Sequence, residues 1–496
     1  MLPALKTDGK TVSTLTLLAA LLACLSARAD DSAEIRHIEQ GLRPAVALQG
    51  QPVATTTLEA EMARLHVPGV SIAVIRNGRI AWARGYGVVA KDGQPVTPDT
   101  LFQAASISKP LTALAALRMV EANKLSLDAD INTALTSWKL PPGPRGAHAT
   151  LRQLLSHTAG TTVSGFPGYA HDAAVPTLVQ VLDGAPPSNT KPVRIETPPG
   201  SAWNYSGGGY TVVQQAMIDR AGKPFDALLA DSVLAPLGMK DSRYAQPLPA
   251  ALLPRAAMPH DGKGDPYPGG PYTYPELAAA GLWTTPSDLA RFALGMQRNR
   301  DASGQALLPP ALARAMLTPV MNSYALGLEI EGKGASTSFG HGGSNMGFQN
   351  SLYAYAGDGN GNGDGIVIMT NGDAGAELTH SIVRAAAFEY HWPSSQTVMR
   401  KAAELPAAKR KALAGTYEVK GLGTFEIADR DGRLMLGIRD GALEPLYAAP
   451  GTPTVLFVLS RELELRMAKD GSPAGRLLSG PFDVQFKRVR GAAKAR

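Results

Sequence analysis

Ser106-Ile107-Ser108-Lys109-Pro110 sets a serine three residues ahead of a lysine, at the head of an apolar run. Residues at i and i+3 share one face of a helix, so the Ser106 hydroxyl and the Lys109 amine can meet. A neutral amine in that position can take the proton of a hydroxyl that is otherwise a poor nucleophile. Leu111, Leu114, Ala115 and Leu117 continue the helical spacing to Met119-Val120, and Pro110 falls in the first turn, where its missing N–H costs little. Spacing by itself does not select this pair. Ser188-Asn189-Thr190-Lys191 repeats it, but between Pro186-Pro187 and Pro192 and without apolar periodicity, which argues against a helix there. Only Ser106 has the context the chemistry needs: a helix start, where free N–H groups and the dipole favour developing negative charge.

Working outward, Val70 to Ile75, the Asn77-Gly78 turn and Arg79 to Ala83 predict a β-hairpin. A helical, loop-rich middle follows from about 110 to 320, with helical periodicity over 210–221 and 288–297. Strand patterns return at Tyr324 to Ile330, Ser351 to Ala356 and Ile366 to Thr370. Strands at both ends and helices between them predict an α+β domain with one sheet assembled from the two ends. Past Pro393-Ser394-Ser395 the character changes. A Lys/Ala-rich helical stretch leads into short alternating runs and tight turns, including Thr424 to Ile427, Asp431-Gly432, Leu434 to Ile438, Val455 to Leu459 and Leu463 to Met467, which predict a small all-β module. The expected organisation is a leader at 1–29, a main domain at 30–395, a linker at 396–411 and an accessory all-β domain at 412–490.

The chain of 496 residues is 44% hydrophobic and 18% charged, an ordinary globular composition with room for more than one domain. The net charge of +6 is spread thinly, and no basic–aromatic interleaving points to nucleic acid. Lys6 and Lys10 precede the apolar run Leu15 to Leu25, and Ala27-Arg28-Ala29 fits a cleavage site, so a signal peptide and a periplasmic or secreted product are expected. The run is too short for a membrane span. The single cysteine, Cys24, lies inside it, and Leu21-Leu22-Ala23-Cys24 leaves lipid anchoring as the alternative.

Two distant segments add to the serine–lysine pair. In Pro199 to Gly207 a glycine turn delivers Tyr205 just ahead of a helix, where a nearby cation would have to lower its phenol for it to serve as a base. In Phe339-Gly340-His341-Gly342-Gly343-Ser344 a histidine precedes glycines that allow close backbone approach to a substrate. Singly these have plainer readings, a core tyrosine and a turn before a strand. His157 reads as a loop-positioning residue. Asp358 to Gly363 opens like an EF-hand loop, but Met369 stands where a bidentate Glu is needed, and the stretch reads as a hairpin loop.

Together, Ser106-x-x-Lys109, Tyr205-Ser206-Gly207 and His341-Gly342-Gly343 resemble, in order, the Ser-x-x-Lys, Tyr-x-Asn and Lys-Thr-Gly or His-x-Gly motifs of the serine β-lactamase and penicillin-binding-protein superfamily. The resemblance is to its class C-like esterase and D-aminopeptidase branch, and Leu154 to Gly160 and Gly281 to Leu289 extend it over about 55–390. It implies a β-lactamase/transpeptidase-like fold, here followed by a lipocalin-like domain. It also implies a small-molecule acyl substrate (an ester, peptide or cell-wall fragment), with no cofactor and no metal. Ser106 would attack the acyl carbon while Lys109 and Tyr205 share its proton. The N–H groups of Ser106 and Ser344, with Gly343 alongside, would bind the oxyanion. His341 would orient substrate or add positive potential. Gly207 replaces the asparagine that grips an amide, and His341 replaces a lysine that pairs with a substrate carboxylate. These departures favour ester or D-amino-acid-type hydrolysis over true β-lactamase action, with a non-turnover penicillin-binding or sensor protein as a further alternative. No Gly-x-Ser-x-Gly elbow of an α/β-hydrolase occurs.

Overall fold

The computed structural model describes residues 33–489 apart from 92, 299–306, 358–362, 420–421, 439–442, 469–471, 473 and 480–481. The leader at 1–29, Cys24 and most of the Asp358 to Gly363 stretch lie outside the described residues.

Asn77 and Gly78, at φ 50° and 70°, make the expected turn between β1 (Gly69–Arg76) and β2 (Arg79–Gly87). Four later strands complete the sheet: β3 (Glu329–Glu331), β4 (Ser338–Asn345), β5 (Phe348–Tyr355) and β6 (Gly365–Thr370). Their order is β2-β1-β6-β5-β4-β3, antiparallel throughout, so the first and last strands of the domain pair side by side, as predicted. Every residue of β1 except Arg76 is buried because both faces are covered. Val70, Ile72 and Val74 pack beneath helix α4 (Gly375–Glu389), while Ala73 and Ile75 join the large core shared with α1 (Ser108–Glu121), α2 (Gly207–Ala221) and α3 (Pro286–Arg298).

Alternation over Tyr324 to Ile330 had predicted a strand, and only Glu329–Glu331 forms one. Gly327 bends the chain at φ 86° and tucks it against α1. A Cβ there would lie 2.7 Å from Ala113 Cβ, so close packing on α1 overrides strand propensity.

The region 396–411 carries the short strand Val398–Arg400, parallel to Val46–Leu48, and the start of the helix Ala407–Leu413. Beyond it, nine strand segments from Gly415 to Arg488 form one antiparallel sheet. Glu444–Pro445 pairs with Arg433–Ile438, and Tyr447–Ala449 pairs with Thr452–Phe457. The chain around Leu446 thus switches partner in mid-strand and nearly closes the sheet into a barrel. Its interior is filled by Tyr417, Phe425, Leu436, Leu456, Leu465 and Phe486 among others, giving it a core of its own.

Candidate active site

Ser106 sits in the single 3-10 turn Ala105–Ile107 that feeds α1. The preceding Ala105 has φ 51°, a left-handed conformation costing a non-glycine residue on the order of 1–2 kcal/mol. The surroundings hold it there. Phe102–Gln103 pairs with Trp283–Thr284, and the Ala104 N–H donates to the Leu282 carbonyl at 2.8 Å. Asn345 and Asn350 donate side-chain N–H groups to the Gln103 side-chain and backbone oxygens, both at 2.8 Å, lashing β4 and β5 to the same segment.

Lys109 is 2% exposed. Its Nζ donates to Ser106 Oγ at 2.9 Å and to the Ala279 carbonyl at 2.8 Å. No carboxylate compensates for burial, which pushes the amine down to about 7. Neutral amine is therefore abundant near neutral pH, as a base requires.

Tyr205 reaches the same serine from the other side, with its phenol in hydrogen-bonding contact with the Ser106 hydroxyl. Here the expectation is corrected. Burial, with a smaller contribution from Glu329, pushes the phenol above its ordinary value, and Lys109 does not lower it. The Lys109 Nζ lies 5.0 Å from the Tyr205 ring centroid, too deeply desolvated to act as a permanent cation. Burial thus makes Lys109 the more readily deprotonated and Tyr205 the less readily deprotonated of the two.

The tyrosine is set by its neighbours. The Ser206 N–H donates to His157 Nδ1 at 3.1 Å, while Ser206 Oγ accepts from the Gly209 N–H at 2.9 Å and so caps α2. The His157 ring lies 4.2 Å from that of Tyr205, centroid to centroid, and burial holds its pKa well below the usual histidine range. His157 supports Tyr205, consistent with a positioning role. Gly207 is not part of the cleft wall. A Cβ there would lie 2.8 Å from the Phe166 ring, which fills the space beside it.

His341, on β4, lines the same cleft as Ser106. Its Nδ1–H donates to the Gly342 carbonyl at 2.5 Å, and its Nε2 accepts from the Tyr324 hydroxyl at 3.0 Å. Burial first, and the nearby Lys109 second, lower its pKa to about 3. It is neutral at working pH and brings no positive potential to the cleft.

Gly343 has a direct steric cause, since a Cβ would meet the Ala104 carbonyl at 2.2 Å. Its absence lets β4 lie against the Ala105–Ile107 turn. Asn345 and Phe348 close a two-residue hairpin, so alternation turns the Ser344 peptide group away from β5. The pairing of β3 with β4 ends at Glu329 and Gly340, which leaves that edge open. The Ser344 N–H thus faces an unpaired edge of β4, which borders the same cleft as Ser106. The Ser344 side chain goes elsewhere, accepting from Gln349 Nε2 at 2.9 Å.

Ser106, Tyr205, His341, Gly343 and Ser344 border a cleft of about 840 Å³ that Trp203 and Glu329 also line. Sequence reading missed Tyr324, the Ala279 carbonyl and Glu329. The first two act through buried tertiary contacts, and Glu329 lay in a stretch read only as strand.

The beta-lactamase family model matches residues 54–389. Esterase EstB of Burkholderia gladioli is 32% identical over 212 residues, 40% of this chain and 52% of that protein. A D-aminopeptidase of Gluconobacter oxydans is 24% identical over 367 residues, 72% of this chain and 64% of that protein. Both matches stop short of two thirds of the relative's own length. The octameric penicillin-binding protein homologue from Pyrococcus abyssi superposes with a TM-score of 0.56 at 23% identity, covering 87% of this chain and 99% of that one, which fixes the fold. With a family match across most of its length, the chain belongs to the beta-lactamase family.

Proposed function

We propose that the protein is an exported hydrolase that works through an acyl-enzyme on Ser106, taking esters or D-amino-acid amides in preference to β-lactams. The observation that carries this is the buried Lys109 amine, 2.9 Å from Ser106 Oγ and brought to about 7 by desolvation. In this reading Lys109 takes the Ser106 proton as Oγ attacks the acyl carbon. The Tyr205 phenol relays that proton to the leaving group, and the same pair then activates water for deacylation. The Ser106 and Ser344 N–H groups bind the oxyanion, each donor worth roughly 3 kcal/mol. Neutral His341 and the filled space beside Gly207 remove the grips on a carboxylate and an amide, which supports the turn away from β-lactams. Export rests on the Lys6 to Ala29 segment alone.

Purified protein offered p-nitrophenyl butyrate, D-alanine p-nitroanilide and nitrocefin tests the reading. Steady turnover of the first two, with an acyl adduct on Ser106 in rapidly quenched samples, is expected. A single stoichiometric burst with no turnover would instead identify an acyl-capturing sensor. Sequencing the N-terminus of protein recovered from a bacterial periplasm tests export, a start at Asp30 being expected and a lipidated Cys24 being the contrary result.

A further inference from the structure

His341 lines the cleft, yet both of its ring nitrogens are engaged by the protein itself. The Gly342 carbonyl, 2.5 Å from Nδ1, can only accept, so the ring proton sits on Nδ1. The ring is neutral, which leaves Nε2 bare, and the Tyr324 hydroxyl donates to it at 3.0 Å. Burial holds the Tyr324 phenol well above its ordinary value, so it keeps that hydrogen to donate. The tyrosine is itself fixed. It is 1% exposed, and its ring lies 4.6 Å from that of His157. Its N–H donates to the Met321 carbonyl at 2.9 Å, and its carbonyl accepts from the Val320 N–H at 2.8 Å.

The Gly342 carbonyl matters because of where it points. Gly342 pairs with Ser351 two residues from the Ser344–Gln349 pair, so strand alternation turns both peptide groups toward the same edge of β4. The pairing of β3 ends at Gly340, and no strand among the described residues takes the Gly342 carbonyl. Glycines at 342 and 343 leave this stretch loosely determined just ahead of the Ser344 N–H. We infer that Tyr324 is a positioning residue: through His341 it braces the Gly342 carbonyl and so sets the backbone that presents the Ser344 N–H to the oxyanion. The inference rests on the acyl-enzyme reading above and adds Tyr324 to the residues that serve it. It also turns the function of His341 inward, toward β4 and away from substrate.

The tautomer is read directly in wild-type protein labelled with 15N-histidine. His341, assigned by the signal lost in His341→Ala, should carry its proton on Nδ1 and show a hydrogen-bonded Nε2. A proton on Nε2 overturns the brace, and this measurement needs no Tyr324 variant to fold. For p-nitrophenyl butyrate, Tyr324→Phe should lower kcat by about tenfold and leave KM within about twofold, since the brace serves the transition state. A kcat that does not fall, or a loss confined to KM, overturns it. In a His341→Ala background the same substitution should cost less than about twofold, because its route to β4 is already gone. An equal loss in both backgrounds would place the action of Tyr324 elsewhere and overturn the inference. Failure of the wild type to hydrolyse the ester, with Ser106 unmodified, overturns the acyl-enzyme reading, while the spectrum still decides the brace.

Discussion

Ser106–Lys109 and Ser188–Lys191 share a spacing in sequence and nothing else in the fold. The first lysine is buried, with Nζ 2.9 Å from its serine. The second pair lies in an irregular loop, where Ser188 Oγ turns to Thr190 Oγ1 at 3.3 Å and Lys191 is exposed to solvent. A lysine in water stays charged and donates protons, whereas one stripped of water and given no carboxylate can accept them. The spacing supplies reach, and burial supplies basicity. The largest effect that could break this comparison is loss of the wrong serine. Ser106→Ala should lower kcat/KM for p-nitrophenyl butyrate by about a thousandfold or more, as removal of a covalent nucleophile does. Ser188→Ala should stay within about twofold, as a half-buried loop substitution away from the cleft does. The reverse outcome would mean that the wrong copy has been assigned.

The comparison sharpens further in a pH profile. With Lys109 at about 7, kcat/KM should rise with pH through an apparent pKa near 7, as the amine loses its proton, and then level off. His341 should add no limb between pH 5 and 8, because it is already neutral there. A limb near 7 that survives Lys109→Ala in residual activity would show that another group carries the titration.

How much of this was legible in the sequence divides along the same line. The Asn77-Gly78 hairpin, the sheet closed from both ends and the order Ser106, Lys109, Tyr205, His341 were all readable, because local turn chemistry and motif order are written in neighbouring residues. Protonation was not. Tyr205 reads as lowered by a lysine and is raised, and His341 reads as orienting substrate or adding positive potential and is neutral. Desolvation comes from residues distant in sequence, so a motif places a group without stating its charge. Gly327 shows the same limit for structure, since the close approach of α1 that turns the chain there has no local signature.

A second buried titratable group lies near the lysine's support. Glu276 precedes the helical turn Leu277–Ala280, from which the Ala279 and Ala278 carbonyls accept from Lys109 and Thr112. Its side chain is 0% exposed, and burial pushes its carboxyl up to about 8. The unfolded chain releases this proton above about 4.5, whereas the folded chain keeps it to about 8. Its contribution to stability therefore falls as pH rises across that window. Glu276→Gln removes the obligation to hold a proton. Denaturant melts should show the variant near wild type at pH 5 and ahead by up to about 4 kcal/mol at pH 8. A gap that stays constant with pH would mean that Glu276 finds a compensating partner in solution.

The smallest effect concerns the two bodies of the chain. The barrel docks through the Val46–Leu48 and Val398–Arg400 pair, with Phe457 packed on Ala45 and Val46 and Arg400 reaching Glu464 at 2.9 Å. This contact is built on the N-terminal strand and not on the strands that border the cleft, so loosening it should reach turnover only indirectly. Arg400 keeps 35% of its side chain exposed, so solvent screens the ion pair and its worth is about 0.5 kcal/mol. Glu464→Ala should therefore lower the melting temperature slightly and speed proteolysis near 400, with kcat for p-nitrophenyl butyrate unchanged. A fall in kcat with KM constant would show that the barrel is coupled to the chemistry of Ser106 through Val46–Leu48, and that the two bodies act as one catalytic unit.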